Sequence, residues 1–286
     1  MNQNGSDSNA LLQLRAHYTT LRNSEKRVAD YILKQPNEII YLSISALAEK
    51  CRTSETSVIR LCKAIGYCGF QDFKINIAKS SVSPTQQIHE DVSENDPASD
   101  IIRKVMTANI RAIQDTMQIL NAAEVQKAIK IIASTSRLEL YGVGGSGPVA
   151  IDGQHKFFKY GVNSTAYIDP HMQVMSASTM KAGDVVLGIS HTGNSKDIVE
   201  SLSVARRAGA TTICITGGLK SPVTHVSDIV LNVMAREQSF KPEPMSSRIA
   251  QLSVIDVLAV GVALTRPDDV LNTLDKMRRA LGDKRY

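Results

Sequence analysis

Over the first 79 positions apolar residues recur at helical spacing, and nowhere do they alternate as a half-buried strand would. Ser24 precedes Glu25 to Leu33, an amphipathic stretch ended by Pro36, with Ser24 as the expected cap. Ser43 precedes a second stretch, Ile44 to Cys51, and the polar turn Arg52-Thr53-Ser54 follows it. The next helix is predicted from Glu55 to Ile65, with Gly66 as the left-handed residue beyond its end. Within it Val58, Leu61, Cys62 and Ile65 fall at i, i+3, i+4 and i+7, which makes one buried stripe.

From Ser80 to Ala98 the pattern dissolves into polar, acidic and proline-containing sequence, the composition of a linker. A long helical stretch is predicted from Ser99 to Ala133, broken near Asn121. After Arg137 short apolar runs alternate with helical segments. Strands are predicted at Leu138–Val143, Asp184–Ile189 and Thr211–Thr216, with a fourth at Asp228–Val233. Near-continuous apolar strands separated by helices imply a parallel sheet covered on both faces. The expected organisation is an all-α helix-turn-helix domain over 1–80, a linker over 81–98, and a doubly wound α/β domain over 99–286.

Charge changes this picture in one respect. The net charge is +5 over 286 residues. Residues 1–79 hold 11 Lys+Arg against 7 Asp+Glu, which leaves 22 against 21 for the rest. The positive excess therefore sits in the helical first quarter, where it suits a polyanion. Four cysteines (Cys51, Cys62, Cys68, Cys214) show no CxxC spacing, so they read as reduced, mostly buried thiols. Residues 1–9 are polar with no apolar signal core, and no uninterrupted apolar run approaches the ~18 residues of a membrane span. A cytoplasmic protein without a membrane partner is expected.

The turn Arg52-Thr53-Ser54 joins two helices as in a helix-turn-helix. The second helix then presents Ser54, Glu55, Thr56, Ser57 and Arg60 away from its apolar stripe, as a recognition helix in the major groove does. Arg52, Lys63 and Lys74 are candidates for phosphate contacts that set the register. A plain helical bundle with a solvated polar face fits the same local pattern, and pattern alone does not separate the two.

The second constellation is Ser190-His191-Thr192-Gly193-Asn194-Ser195, between a predicted strand and a predicted helix. A strand feeding a helix leaves unpaired N–H groups and the positive end of the helix dipole facing outward, which favours an anion. Ser190, Thr192 and Ser195 add hydroxyl donors, and Gly193 would let the backbone approach a ligand. The bland reading is a capped βα turn, but three hydroxyls around one glycine favour phosphate. Gly142-Val143-Gly144-Gly145-Ser146-Gly147 is a second strand-to-helix turn. It lacks the ribose-binding acid of a dinucleotide fingerprint, so Gly145 and Ser146 are expected to face the same ligand as the 190–195 loop. His155 and His171 are read as structural. No His/Cys/Asp cluster has metal spacing, so neither metal nor cofactor is expected.

Together these segments resemble the RpiR/MurR family of bacterial transcriptional regulators, which join a helix-turn-helix to a SIS (sugar isomerase) domain. The resemblance rests on Ser24 to Ala29, on Leu47-Ala48 with Thr53 to Arg60, and on Ile65-Gly66-Tyr67 with Gly69-Phe70. Further along it rests on Gly142 to Ser146, Gln154 to Phe157, Ile189 to Gly193, and Ser247 to Leu252 with Val254-Ile255-Asp256. It implies double-stranded operator DNA and a second copy of the chain, in a dimer or tetramer, as partners. It also implies that Ser146, Ser190, Thr192 and Ser195 surround a sugar-phosphate effector, with His191 inside the same loop. Many family members carry Arg where this chain has Asn194. Lys241 stands where relatives often have Arg and is a further candidate for the phosphate.

The implied activity is regulation: effector binding shifts the equilibrium between arrangements that match the operator well and badly. Two other readings use the same residues. An aldose–ketose phosphate isomerase needs a base beside the C1–C2 bond, for which His191 and Glu243 are the candidates. A sugar-phosphate-binding adaptor needs only protein contacts. The basic N-terminal segment argues against both.

Overall fold

A computed structural model describes residues 9–36, 38–81, 92–235 and 245–282, without the side chains of Asn9, Tyr41 and residues 78–81. The chain divides into two compact units, and the division falls between Thr107 and Ala108.

The N-terminal unit holds α1 (Asn9–His17), α2 (Asn23–Lys34), α3 (Ile44–Lys50), α4 (Glu55–Ala64) and α5 (Phe70–Ser81). Leu14, Val28, Ile32, Leu47, Val58, Leu61, Ile65, Phe73 and Ile77 close its core. With Cys62, which is also in this core, the expected stripe of α4 is complete. Ser43 caps α3 by accepting from the Ala46 N–H at 3.1 Å, and Ser54 caps α4 by accepting from the Ser57 N–H at 3.3 Å. Gly66 adopts φ +93°, the left-handed conformation that its place beyond α4 demands. α2 differs from expectation, because Ser24 lies inside its first turn. Arg22 takes the cap position and its N–H donates to the Glu25 carboxylate at 3.0 Å. A glutamate three residues into a helix can satisfy the cap N–H without a hydroxyl at the cap itself.

α6 (Ala98–Ile119) enters both units, and α7 (Ala122–Ser134) follows it. The break falls at Asn121, whose side chain accepts from the Ala123 and Glu124 N–H groups. Five parallel strands then form one sheet: β1 (Leu138–Gly142), β2 (Ser164–Tyr167), β3 (Val185–Ile189), β4 (Thr211–Thr216) and β5 (Ile229–Asn232). Their order is β2-β1-β3-β4-β5, with Leu138 opposite both Ser164 and Val185, and Val185 opposite Thr211. The edge strand β2 was not expected from the sequence. Ser-Thr-Ala-Tyr offers no apolar run, and only Ser164 of its four residues is buried.

Between the strands run α8 (Gly147–Lys159), α9 (Pro170–Ser178), α10 (Lys196–Arg207) and the short α11 (Pro222–His225), with α12 (Ser246–Thr265) and α13 (Pro267–Ala280) last. One face of the sheet packs Leu140, Leu187, Ile213 and Leu231 against α7, α8 and α12. The other packs Tyr141, Val186 and Cys214 against α9, α10 and α11. By length and composition α12 could cross a membrane. Here Ala250, Val254, Leu258 and Val262 put one of its faces in the core instead. Cys51, Cys62 and Cys214 are buried, and burial pushes the Cys62 thiol up to about 12, which suits small inert hydrophobes. Cys68 is exposed.

Candidate DNA-binding and effector sites

The α3–α4 connection is built by its backbone. The Thr53 N–H donates to the Ala48 carbonyl at 2.9 Å, and the Arg52 N–H to that of Glu49 at 3.0 Å. Arg52 thereby takes φ +49°, a left-handed conformation uncommon for a side-chain-bearing residue. Arg52, Ser54, Glu55, Thr56, Arg60 and Lys63 all lie exposed around the start and outer face of α4. Ile59 lies among them at 37% exposure. Its place outside the i, i+3, i+4 stripe is the signal that marks it as a surface residue. An apolar side chain there can meet a thymine methyl group. Arg60 is held from two sides: Nη2 donates to Ser57 Oγ at 3.2 Å, and Nε lies 3.7 Å from the buried Glu25 carboxylate.

Two expected DNA contacts are turned inward. Ser57 is 3% exposed, and its hydroxyl bonds Ser54 and Arg60, so it supports those two side chains and does not present itself at the surface. Lys74 is 1% exposed, with Nζ donating to the Leu42 carbonyl at 2.6 Å and lying over the Phe70 ring. It therefore cannot reach a phosphate. Burial lowers its pKa from 10.5 to about 8. Below pH 8 the amine is charged in both folded and unfolded chains, and the folded chain bears the full desolvation cost. Between about 8 and 10.5 only the unfolded chain keeps the proton, so stability rises with pH by roughly 3 kcal/mol in total. Lys74→Met lacks this rise. Its melting temperature relative to wild type should fall steadily from pH 7.5 to 10.5, and parallel curves would mean that the amine is hydrated.

In the C-terminal unit the sheet order reverses between β1 and β3, so their following loops diverge to α8 on one face and α10 on the other. A crevice at the carboxyl ends of such a pair is where open α/β sheets take ligands. After β1, Gly144–Ser146 forms one tight turn and leads straight into α8, with Gly145 and Ser146 partly exposed. After β3 comes Ser190, 4% exposed, whose carbonyl accepts from the Gly193 N–H at 3.2 Å. Thr192 is exposed and its hydroxyl accepts from the Asn194 N–H. Ser195 takes the cap position of α10 without using its hydroxyl as a cap. The first-turn N–H groups of α10 have no partner within the helix and point outward from it. Ser146 and the Ser190–Ser195 loop thus follow neighbouring strands, as expected.

The role expected for Gly193 needs correcting. It sits at φ +69°, and a Cβ there would lie 2.0 Å from Ser221 Oγ and 3.0 Å from Thr216 Oγ1. The glycine therefore makes room for the loop behind it and not for a ligand in front. That rear loop also takes up the carbonyls of the anion loop: Gly217 N–H donates to His191 at 2.8 Å and Val223 N–H to Gly193 at 3.0 Å. The His191 and Gly193 carbonyls are thereby turned back toward the rear loop. Ser221 and Thr216 are buried behind the anion loop, and the sequence offered no signal for either beyond their place after a strand. Lys241 and Glu243 lie outside the described residues. His155 and His171 are exposed and take no part in either core. Among the described residues no group of His, Cys, Asp and Glu is placed to hold a metal.

The helix-turn-helix domain of the rpiR family matches residues 8–84, and the SIS domain matches residues 131–261. An HTH-type transcriptional regulator of Caldanaerobacter subterraneus is 40% identical over 96% of this chain and 98% of its own length. This chain belongs to the RpiR family of helix-turn-helix transcriptional regulators. The HTH-type regulator HexR of Pseudomonas aeruginosa is 33% identical to this RpiR-family chain, over 97% of each. Among solved structures, the Vibrio vulnificus NanR protein complexed with ManNAc-6P shares the fold. Its TM-score is 0.85 at 22% identity, over 97% of this chain and all of that one.

Proposed function

We propose that this chain is a cytoplasmic regulator, without isomerase turnover, whose operator binding is set by a sugar phosphate held between the Gly145–Ser146 turn and the Ser190–Ser195 loop. The observation that carries this reading is that the Gly144–Ser146 turn and the Ser190–Ser195 loop follow neighbouring strands at the β1/β3 reversal, in a chain of a helix-turn-helix regulator family. Ser146, Ser190, Thr192 and Ser195 donate to the phosphate, His191 stands in the same loop, and Lys241 adds charge. The domains run 1–80 and 99–286, joined by a linker over 81–98. The protein works as a dimer or tetramer, so that paired α4 helices meet half-sites about one helical turn, or a multiple of it, apart. The complex of NanR with ManNAc-6P makes phosphorylated amino sugars one class of effector to try.

The test is an anisotropy titration of the DNA upstream of the gene, with and without a panel of phosphosugars. The panel is glucose 6-phosphate, ribose 5-phosphate, ManNAc-6P, N-acetylmuramic acid 6-phosphate and ketodeoxygluconate 6-phosphate, ranked first by the rise in melting temperature each gives. A panel that neither stabilises the protein nor moves the titration would sink the reading. For DNA itself, Arg60→Ala should weaken specific binding by about 1–3 kcal/mol while leaving random DNA nearly unaffected. Equal loss on both sequences would make Arg60 a backbone contact.

A further inference from the structure

α6 buries few of its residues, and one of them is polar. Thr116, 4% exposed, lies one turn beyond the buried Ala112 on the same face. Its hydroxyl does two things at once for a single partner. It accepts from the Met234 N–H at 2.9 Å and donates to the Met234 carbonyl at 3.2 Å. Met234 follows β5, an outer strand of the sheet, and among the described residues no further strand pairs with it. Thr116 therefore stands in for a ladder partner. Val, Leu or Ala at 116 would leave a peptide group without its bonds, so a packing role alone does not explain the residue.

The clasp continues inward. The N–H of Val233, next in the chain, donates to the Thr216 carbonyl at 2.9 Å. The hydroxyl of Thr216, which is fully buried, accepts from the Gly218 N–H at 3.1 Å and reaches the His191 carbonyl at 3.4 Å. His191 belongs to the anion loop. An unbroken run of short contacts thus leads from that loop, across the end of β4 and beyond β5, to a helix that enters the other compact unit.

We propose that Thr116 is the positioning residue through which the state of the 190–195 loop is passed to α6, and along that helix to the DNA-binding unit. This rests on the effector reading above. A phosphate bound by the loop shifts the His191 carbonyl, to which the end of β4 is tied by hydrogen bonds from the Thr216 hydroxyl and the Gly217 N–H. β5 follows through Val233, and the Thr116 hydroxyl converts that shift into a displacement of α6. A helix is stiff along its axis, so a shift at Thr116 is carried along α6 to Ala98, where the linker over 81–98 joins it to the DNA-binding domain. Sites coupled in this way influence each other only through elements that both can bias.

The experiment uses the full chain with the panel member giving the largest rise in melting temperature, and the upstream DNA. For wild type, Thr116→Val and Thr116→Ser, three quantities are measured: phosphosugar affinity, DNA affinity, and the ratio of DNA dissociation constants with and without phosphosugar. Thr116→Val should keep both affinities within about threefold, while the ratio falls from the ~5–150-fold usual for coupled sites to below about twofold. Thr116→Ser, which keeps the hydroxyl and loses only the methyl, should retain the wild-type ratio. A wild-type ratio in Thr116→Val, or a lost ratio in Thr116→Ser, would overturn the proposal and leave the regulator reading standing. A wild-type protein with no ratio at all would overturn both. Should Thr116→Val fail to fold, amide exchange in wild type decides. Phosphosugar should change the exchange of the Met234 N–H, and unchanged exchange there would end the proposal.

Discussion

Glu139→Ala should lower the folding stability by about 3–5 kcal/mol, the range for breaking a buried charge pair by removing one partner. Glu139 lies on β1, paired on both sides by β2 and β3, and is 1% exposed. It is tolerated there because each carboxylate oxygen is occupied. Oε1 accepts from Arg137 Nε at 2.9 Å, from Arg137 Nη2 at 2.6 Å and from Ser176 Oγ at 2.7 Å. Oε2 accepts from the Tyr141 hydroxyl. Burial, and then that hydrogen bond, raise the Tyr141 pKa well above the ordinary tyrosine range. Truncation to Ala strands the fully buried Tyr141 hydroxyl and takes the acceptor from the Ser176 hydroxyl, which keeps only the bond it accepts from Arg137 Nη2 at 2.8 Å. Arg137, whose side chain is 32% exposed, can turn partly to water, which keeps the loss from exceeding that range. Glu139→Gln, which still offers an acceptor, should cost roughly half as much. Removing the need for the acceptor should recover most of the loss, so Glu139→Leu combined with Tyr141→Phe should stand above Glu139→Ala. Urea unfolding followed by far-UV circular dichroism reads all three. A loss below about 1 kcal/mol for Glu139→Ala would mean that water enters the cluster.

The same strand illustrates what the sequence disclosed and what it withheld. β1, β3 and β4 were legible because each buries both faces and so reads as an apolar run. Glu139 interrupts that run in sequence but not in space, since its partners come from residues 137, 141 and 176. β2 was invisible because an edge strand has one neighbour and little to bury. Caps were legible where a hydroxyl precedes an apolar stripe, as at Ser43 and Ser54. Arg22 was missed because its function is supplied by Glu25, three residues away. The two loops proposed as the anion site were visible from local composition, whereas the pairing of β1 with β3 came from the sheet register. The support behind these loops was not visible either. Thr216 and Ser221 act through contacts 23 to 28 residues distant in sequence, on His191 and Gly193. Lys74 is the converse case. A lysine in a basic segment suggests DNA, and only the packing of α5 against the segment holding Leu42 shows that its amine is consumed internally.

Ser190→Ala should weaken phosphosugar binding by about one to two decades, and the double variant Ser190→Ala, Ser195→Ala by about two to four. In the proposed site each hydroxyl donates a charge-assisted hydrogen bond to the phosphate, worth roughly 1.5–3 kcal/mol, and ~1.4 kcal/mol is one decade. The two lie in one loop, so strict additivity is not expected and the double variant should fall toward the lower end. Stability should hardly change. Ser190 contributes its backbone to the loop, the N–H donating to Ile215 and the carbonyl accepting from Gly193, and Ala keeps both bonds. Ser195 does not use its hydroxyl to cap α10, so that helix loses nothing. DNA affinity without phosphosugar should equal wild type, because α4 belongs to the other unit. What should move is the response. Half-maximal effect on DNA binding should shift upward by the same factor as phosphosugar affinity, since coupling between two sites is reciprocal. The measurement is the anisotropy titration above, run for wild type and both variants across a wide phosphosugar range, with calorimetry giving the direct affinities. A double variant that melts like wild type and keeps the wild-type midpoint would place the phosphate elsewhere. A variant that loses affinity by three decades yet keeps its midpoint would mean that a second site controls DNA binding.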